Sequence, residues 1–252
     1  MKFQRLQHAK SSGIVTFQIN RPEAHNALSE DMWNAIPQFI QEEALNATKV
    51  IILEGGNGNF GAGADLSQMK ELKSAEDAGR LWHAIVSALE SIYFAPLPVI
   101  AKVRGSCLGG SCLLATACDL RIAAVDARFA IPVARLGIVL DDGCLDRLRE
   151  LIGPAWTKQL IFSACTIDGS KAEKIGLVNE AIAPESLDEY CEQVALQIAE
   201  NSPNTILECK RSLRRHRLKS ESETVRQQLE VIKNSYVSSE FKERLSKLGI
   251  TI

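Results

Sequence analysis

Leu97-Pro-Val-Ile-Ala-Lys-Val103 runs, through Arg104, into Gly105-Ser-Cys-Leu-Gly-Gly-Ser-Cys-Leu-Leu-Ala-Thr-Ala-Cys-Asp-Leu120. The first run is short and apolar and reads as a buried strand. After the glycines, Leu113, Leu114 and Ala117 recur at helical spacing, so the strand feeds a tight glycine turn that opens a helix. Glycine lets the backbone come close to a ligand, and the first N–H groups of a helix have no intrahelical acceptor. The helix dipole favours negative charge at that end. Such a turn can hold an anion, or an oxygen that becomes one.

A second turn of this kind lies upstream. Val50-Ile-Ile-Leu-Glu54 reads as a buried strand, followed by Gly55-Gly-Asn-Gly-Asn59 and Phe60-Gly-Ala-Gly-Ala-Asp-Leu66. Leu66, Met69 and Leu72 then recur as on a helix, and Asp65 is placed to cap it by accepting the free N–H groups of its first turn. One glycine turn before a helix is ordinarily only a turn. Two of them can aim two backbone N–H donors at one oxygen, which is an oxyanion hole.

Outward from these turns, residues 13–20 alternate and are rich in β-branched side chains, as a strand would be. Residues 21–27 connect it to a helix capped by Ser29, with Met32, Ile36, Phe39 and Ile40 on its apolar face and Pro37 predicted to kink it. A longer helix from Ser74 carries Leu81, Ile85, Leu89 and Ile92 on one side and ends near Pro96 and Pro98. Short strands follow at 120–124 and 128–131. Strand–helix alternation with long crossovers predicts an α/β fold with parallel pairing. After Gly143 the pattern is almost wholly helical, at about 143–152, 154–163, 168–176, 185–200, 203–217 and 222–245. The last of these bears Val225, Leu229, Ile232 and Tyr236 on a stripe that must be buried against its own core or a neighbouring subunit. The organisation read here is a core at 1–195 and a helical region at 196–252.

Of 252 residues, 46% are apolar and 24% charged, and the formal net charge is −2, so no basic face for nucleic acid is indicated. The first residues are polar and charged, unlike a secretion signal, and no stretch approaches the roughly 18 apolar residues of a membrane span. Seven cysteines, none in a Cys-x-x-Cys pair, fit small buried hydrophobes in a reduced, cytoplasmic compartment. There is no clustered set of metal ligands and no phosphate-binding Gly-x-x-x-x-Gly-Lys-Ser/Thr pattern.

The order of elements and several segments resemble the crotonase (enoyl-CoA hydratase/isomerase) superfamily. The segments are 19–28 (Ile-Asn-Arg-Pro-Glu-Ala-His-Asn-Ala-Leu), 60–66, 98–105, 108–123, 129–132, 136–138 and 172–179. The resemblance covers about residues 12–215. It implies an α/β fold with a ββα-spiral core and a helical trimerisation region, assembled as homotrimers or hexamers. It further implies an acyl-CoA or acyl-carrier-protein thioester as substrate, coenzyme A entering only as part of that substrate. By motif position the oxyanion donors are the N–H groups of Ala64 and Gly110. Ala62, Asp65, Leu66, Gly109, Leu113 and Val133 fall at substrate-contacting positions.

Hydratases of the family carry two glutamates where this chain has Leu113 and Val133. Hydration needs one group to activate water and another to deliver a proton, and neither apolar residue does either. Asp141, four residues after Gly137, matches the position of an acid in family members that shift double bonds. Asp142 is read as the cap of the following helix, which leaves Asp141 for chemistry. The resulting expectation is an enoyl-CoA isomerase with Asp141 as its one acid/base. Hydrolysis of a thioester or halide by Asp141, a hydratase-like reaction and a non-catalytic acyl-CoA binder are the alternatives. His83 reads as solvated, His25 as a cap or packing residue, and Cys112 as packing, while His8 and His216 lie outside the motifs. Arg21, Lys102, Arg104 and the Lys210-Arg211…Arg214-Arg215 cluster are the cations available to the coenzyme A phosphates, with a solvated helix face or a subunit contact as the alternative reading of Arg214, Arg215 and Arg217.

Overall fold

The computed structural model describes residues 3–7, 13–214, 230 and 232–247. Six strands form the main sheet: β1 (Phe3–Gln7), β2 (Ile14–Ile19), β3 (Val50–Gly55), β4 (Val99–Val103), β6 (Leu120–Ala124) and β9 (Glu180–Ile182), neighbours in that order. β1 runs antiparallel to β2 and the other pairs are parallel, with Ile14 opposite Val50, Ile51 opposite Val99 and Ile100 opposite Leu120. Strands covered on both faces read as unbroken apolar runs, and residues 50–53 of β3 are all buried. A small second sheet consists of β5 (Ser106–Leu108), β7 (Arg128–Ala130) and β8 (Ile167–Asp168). β5 sits inside what the sequence offers only as a glycine turn, because three residues between glycines carry too little pattern to announce a strand.

Helices α1 (Glu30–Leu45) and α3 (Ala75–Tyr93) pack on each other beside the sheet, and α2 (Leu66–Lys70) and α4 (Gly110–Ala117) open from the two glycine turns. α5 (Val133–Leu136) and α6 (Asp142–Ser163) follow. α6 is broken at Gly153, whose φ of 69° leaves the helical region, so it matches the two helices expected there. α7 (Gly169–Lys174), α8 (Leu187–Glu200), α9 (Pro203–Arg214) and α10 (Ser239–Lys247) complete the described helices, with residues 232–237 helical ahead of α10.

One local expectation changes. α1 runs from Glu30 to Leu45 with Pro37 inside it. Ser29 occupies its N-cap position, yet the Ser29 hydroxyl is buried without a hydrogen bond. Gln68 does the capping instead, its Oε1 accepting from Glu30 N at 2.7 Å. A side chain from α2 thereby ties the first glycine turn to α1.

The C-terminal stripe is buried on the chain's own core: Ile232, Tyr236, Phe241 and Leu245 are each at most 4% exposed. Val225 and Leu229 lie outside the described residues. Tyr236 packs between Trp82 of α3 and Phe241, with ring centroids 6.0 and 6.2 Å away. All seven cysteines are free thiols, and among the described residues no helix is long and apolar enough to cross a membrane.

Candidate functional site

The two glycine turns, 50 residues apart in the chain, are laced together. Phe60 N donates to Arg104 O (2.9 Å), Gly61 N to Ser106 O (2.8 Å) and Leu108 N to Gly61 O (2.9 Å). The side chains of Asn59 and Ser111 add cross-links: Asn59 Oδ1 accepts from Ser106 N at 3.0 Å, and Ser111 Oγ from Gly63 N at 3.0 Å. This close approach is why glycine is required. A Cβ on Gly105 would lie 2.2 Å from Gly58 O, and one on Gly61 2.4 Å from Ser111 Oγ.

The lacing brings the backbone nitrogens of Ala64 and Gly110 close together. A Cβ on Gly63 would fall 2.9 Å from Gly110 N, and a Cβ on Gly110 3.3 Å from Ala64 N. Gly110 is the first residue of α4, so its N–H is one of the donors the helix cannot satisfy. Among the described residues neither Ala64 N nor Gly110 N has a hydrogen-bond acceptor. Ala62, Ala64, Asp65, Leu66, Gly109 and Gly110 are half-buried around this spot. Leu113 and Val133 are buried in the apolar core, 3% and 8% exposed. Two preorganised backbone donors can hold a carbonyl oxygen as it gains charge.

The connector 21–27 holds the first turn in place. Asn26, 1% exposed, donates from Nδ2 to Gly56 O (2.8 Å) and Asn59 O (2.7 Å). Asp65 caps α2 through Ser67 N (2.9 Å) and Gln68 N (3.4 Å), and Arg21 reaches it at 2.6 Å. Burial pushes the Asp65 carboxyl up, but the Arg21 hydrogen bond and charge and the two backbone donors outweigh it and hold the group below its ordinary value. Ser111 and Asn26 are the two positioning residues that sequence reasoning passes over. A small polar side chain directly after the glycine pair was the signal for Ser111. Asn26 stood in plain view as Asn-Ala-Leu but carries no pattern of its own.

Asp141 corrects one reading. Asp141, rather than Asp142, is the N-cap of α6, its Oδ1 accepting from Cys144 N at 2.5 Å. The helix begins one residue earlier than Gly143 implies, so Asp142 becomes its exposed first residue and Asp141 takes the extended cap conformation. Asp141 is therefore held by a backbone bond, half-buried, between Leu140, which is 7% exposed, and the start of α6. Burial, aided by the Asp141 charge, pushes the Cys144 thiol up to about 12, so Cys144 stays protonated.

The cations expected to meet coenzyme A are engaged elsewhere. Lys102 pairs with Glu54 and, at 2.8 Å, with Asp188, and Arg104 pairs with Asp188 at 2.9 Å. Burial lowers the Lys102 pKa, but those two carboxylates overcome it and raise it above its ordinary value. Lys210, 7% exposed, binds Asp119 at 2.5 Å and Leu97 O at 2.7 Å. Arg21 is committed to Asp65, and Arg211 pairs with Glu208 at 2.7 Å. A spaced set of cations in sequence cannot show which carboxylates the fold delivers to them. The Arg214 side chain, Arg215, Arg217, His8 and His216 lie outside the described residues. His83 is exposed on α3, and His25 ends the single 3-10 turn at 22–24, its N–H donating to Pro22 O. Cys112 is buried in α4.

The architecture is the crotonase fold. A solved enoyl-CoA hydratase/isomerase from Xanthobacter autotrophicus Py2 superposes with a TM-score of 0.88 at 26% identity, covering 99% of this chain and 94% of that one. The enoyl-CoA hydratase/isomerase family model matches residues 9–248, and the chain belongs to that family. It is 38% identical over 210 residues to the short-chain-enoyl-CoA hydratase of Clostridium acetobutylicum, covering 82% of this chain and 79% of that protein. It is 33% identical over 219 residues to the peroxisomal Delta(3,5)-Delta(2,4)-dienoyl-CoA isomerase of Arabidopsis thaliana, covering 82% and 79%.

Proposed function

We propose that this member of the family is a double-bond isomerase of acyl-CoA thioesters, with Ala64 and Gly110 N–H as the oxyanion hole and Asp141 as its single acid/base. The observation that carries the reading is the pairing of those two donors with apolar Leu113 and Val133 where hydratases hold carboxylates. For a trans-3-enoyl thioester, Asp141 takes a proton from C2 and the electron pair moves onto the thioester oxygen, where the two N–H groups hold it. Asp141 returns the proton to C4, and the double bond ends between C2 and C3. One carboxylate completes this cycle, with no water and no second acid.

The identity to hydratase relatives favours a second reading, addition of water to the 2-enoyl thioester. It needs a water-activating group and a proton donor, and Leu113 and Val133 supply neither. Hydrolysis by Asp141 and plain acyl-CoA binding stand behind these two readings.

The coenzyme A phosphates have a different set of cations to meet than the sequence suggests. Lys70, Lys73 and Lys242 line a cleft of about 350 Å³ at the end of α2, with Glu71 beside them. Among the described residues none of these three lysines has an ion pair. Self-association is supported by a groove of about 580 Å³ lined by Tyr93, Thr116, Leu151, Ile206, Leu213 and Arg147. Light scattering should give three or six times the chain mass, and a monomer mass would rule this out.

The deciding experiment is to give the purified protein trans-3-hexenoyl-CoA and trans-2-hexenoyl-CoA side by side, at low and high salt. Isomerisation of the first without hydration of the second is the expected result, with KM rising in salt as the lysine cleft is screened. Brisk hydration would overturn the assignment of roles to Leu113, Val133 and Asp141.

A further inference from the structure

Asp141 sits at the end of a short loop, 137–141, that joins α5 to α6. Within it Ile138 and Leu140 turn into the core, while Val139 is 40% exposed. The Val139 N–H is taken by a residue far away in the chain: it donates to Ser235 Oγ at 3.2 Å. The Ser235 hydroxyl in turn donates to Ile232 O at 2.7 Å, which fixes the direction in which its lone pair points.

The segment that carries Ser235 has no freedom to drift from the loop. Ser238 Oγ donates to Ser235 O (2.9 Å) and accepts from Phe241 N (3.0 Å), joining the two helical pieces at a defined bend. Tyr236 is 4% exposed and clasped by Trp82 and Phe241. Gly137 lies directly under the side chains of Glu240 and Arg244: a Cβ there would be 3.4 and 3.6 Å from them, on a backbone with φ of 69°. Arg244 pairs with Glu240 at 2.7 Å and reaches Arg135 O at 3.5 Å. Burial, with the Asp141 charge adding to it, raises the Tyr236 phenol above its ordinary value and keeps it protonated.

We propose that Ser235 is a positioning residue for Asp141, and that the helical stretch 232–247 belongs to the catalytic unit rather than to an appendage. The inference rests on the reading of Asp141 as the acid/base. The end of the loop at Asp141 is held by the α6 cap, and its middle residue, Val139, two residues before the carboxylate, is held by Ser235. An error of about 1 Å in placing a reacting group costs up to about 100-fold in rate, so the anchor bears on turnover and not on coenzyme A capture.

The test uses the full chain, trans-3-hexenoyl-CoA, and four variants: Ser235→Ala, Ser235→Thr, Asp141→Asn and the Ser235→Ala/Asp141→Asn double. Ser235→Ala should lower kcat about tenfold with KM unchanged, and Ser235→Thr, which keeps the hydroxyl, should restore most of it. On the Asp141→Asn background, Ser235→Ala should cost nothing further, because its effect acts through that carboxylate. Wild-type kcat in Ser235→Ala beside a crippled Asp141→Asn would overturn the inference alone, as would a loss that adds in full in the double variant. Wild-type turnover in Asp141→Asn would overturn the assignment of Asp141 itself, and the inference with it.

Discussion

Asp141→Asn should lose roughly two to four orders of magnitude in isomerisation of trans-3-hexenoyl-CoA, while the affinity for the thioester changes little. The substitution is nearly isosteric. The amide oxygen can still accept from Cys144 N, the bond that Asp141 makes at 2.5 Å as the cap of α6, so the helix start survives. The proton-accepting carboxylate is lost. Steady-state kinetics with a melting curve on the same sample separate the two: a fall in kcat at unchanged Tm marks the chemistry. Unchanged kcat would leave Asp141 as a cap and nothing more, and would move the proposal toward a binder or toward chemistry by another group.

Gly110→Pro should cost about 10²–10³ in kcat, or roughly 2.7–4 kcal/mol of transition-state stabilisation, by deleting one oxyanion donor. Gly110 is the first residue of α4, where proline is well tolerated because the N–H it lacks has no helical acceptor. The substitution therefore strikes a group that the helix itself does not use. The indole of Trp33 lies 3.2 Å from a Cβ at this position, so some crowding is expected, and circular dichroism with coenzyme A binding serves as the control. Retention of wild-type turnover would mean that Gly110 N–H holds no developing charge.

Much of this could be read in the chain. The glycine turns announced themselves as turns, since Gly63, Gly105 and Gly109 sit at positive φ and the periodicity after each is helical. The capping role of Asp65 followed from its place before Leu66, and the departures at Leu113 and Val133 were visible as residue types. Harder to see were β1, β5, β8 and β9, which have two to five residues each and borrow their order from partner strands. Asp141 and Asp142 were confused because a cap depends on where the helix begins, and Gly143 obscured its first residue.

Local chemistry along the chain, then, determines the two strand–turn–helix units, the family resemblance and the kinds of side chain at the site. Those follow from periodicity, glycine and capping, which act over a few residues. Tertiary structure alone decided which groups meet. The turns converge because Asn59, Ser106, Gly63 and Ser111 bond across a gap of about 50 residues, and no local propensity encodes that register. The same holds for the cations: Lys102, Arg104 and Lys210 looked available for phosphate until the fold brought Glu54, Asp188 and Asp119 against them. Likewise Ser235 reaches Val139 only because the C-terminal stripe buries itself on its own core. Pairing of this kind is set by the packing free energy of the whole chain, which short windows of sequence do not contain.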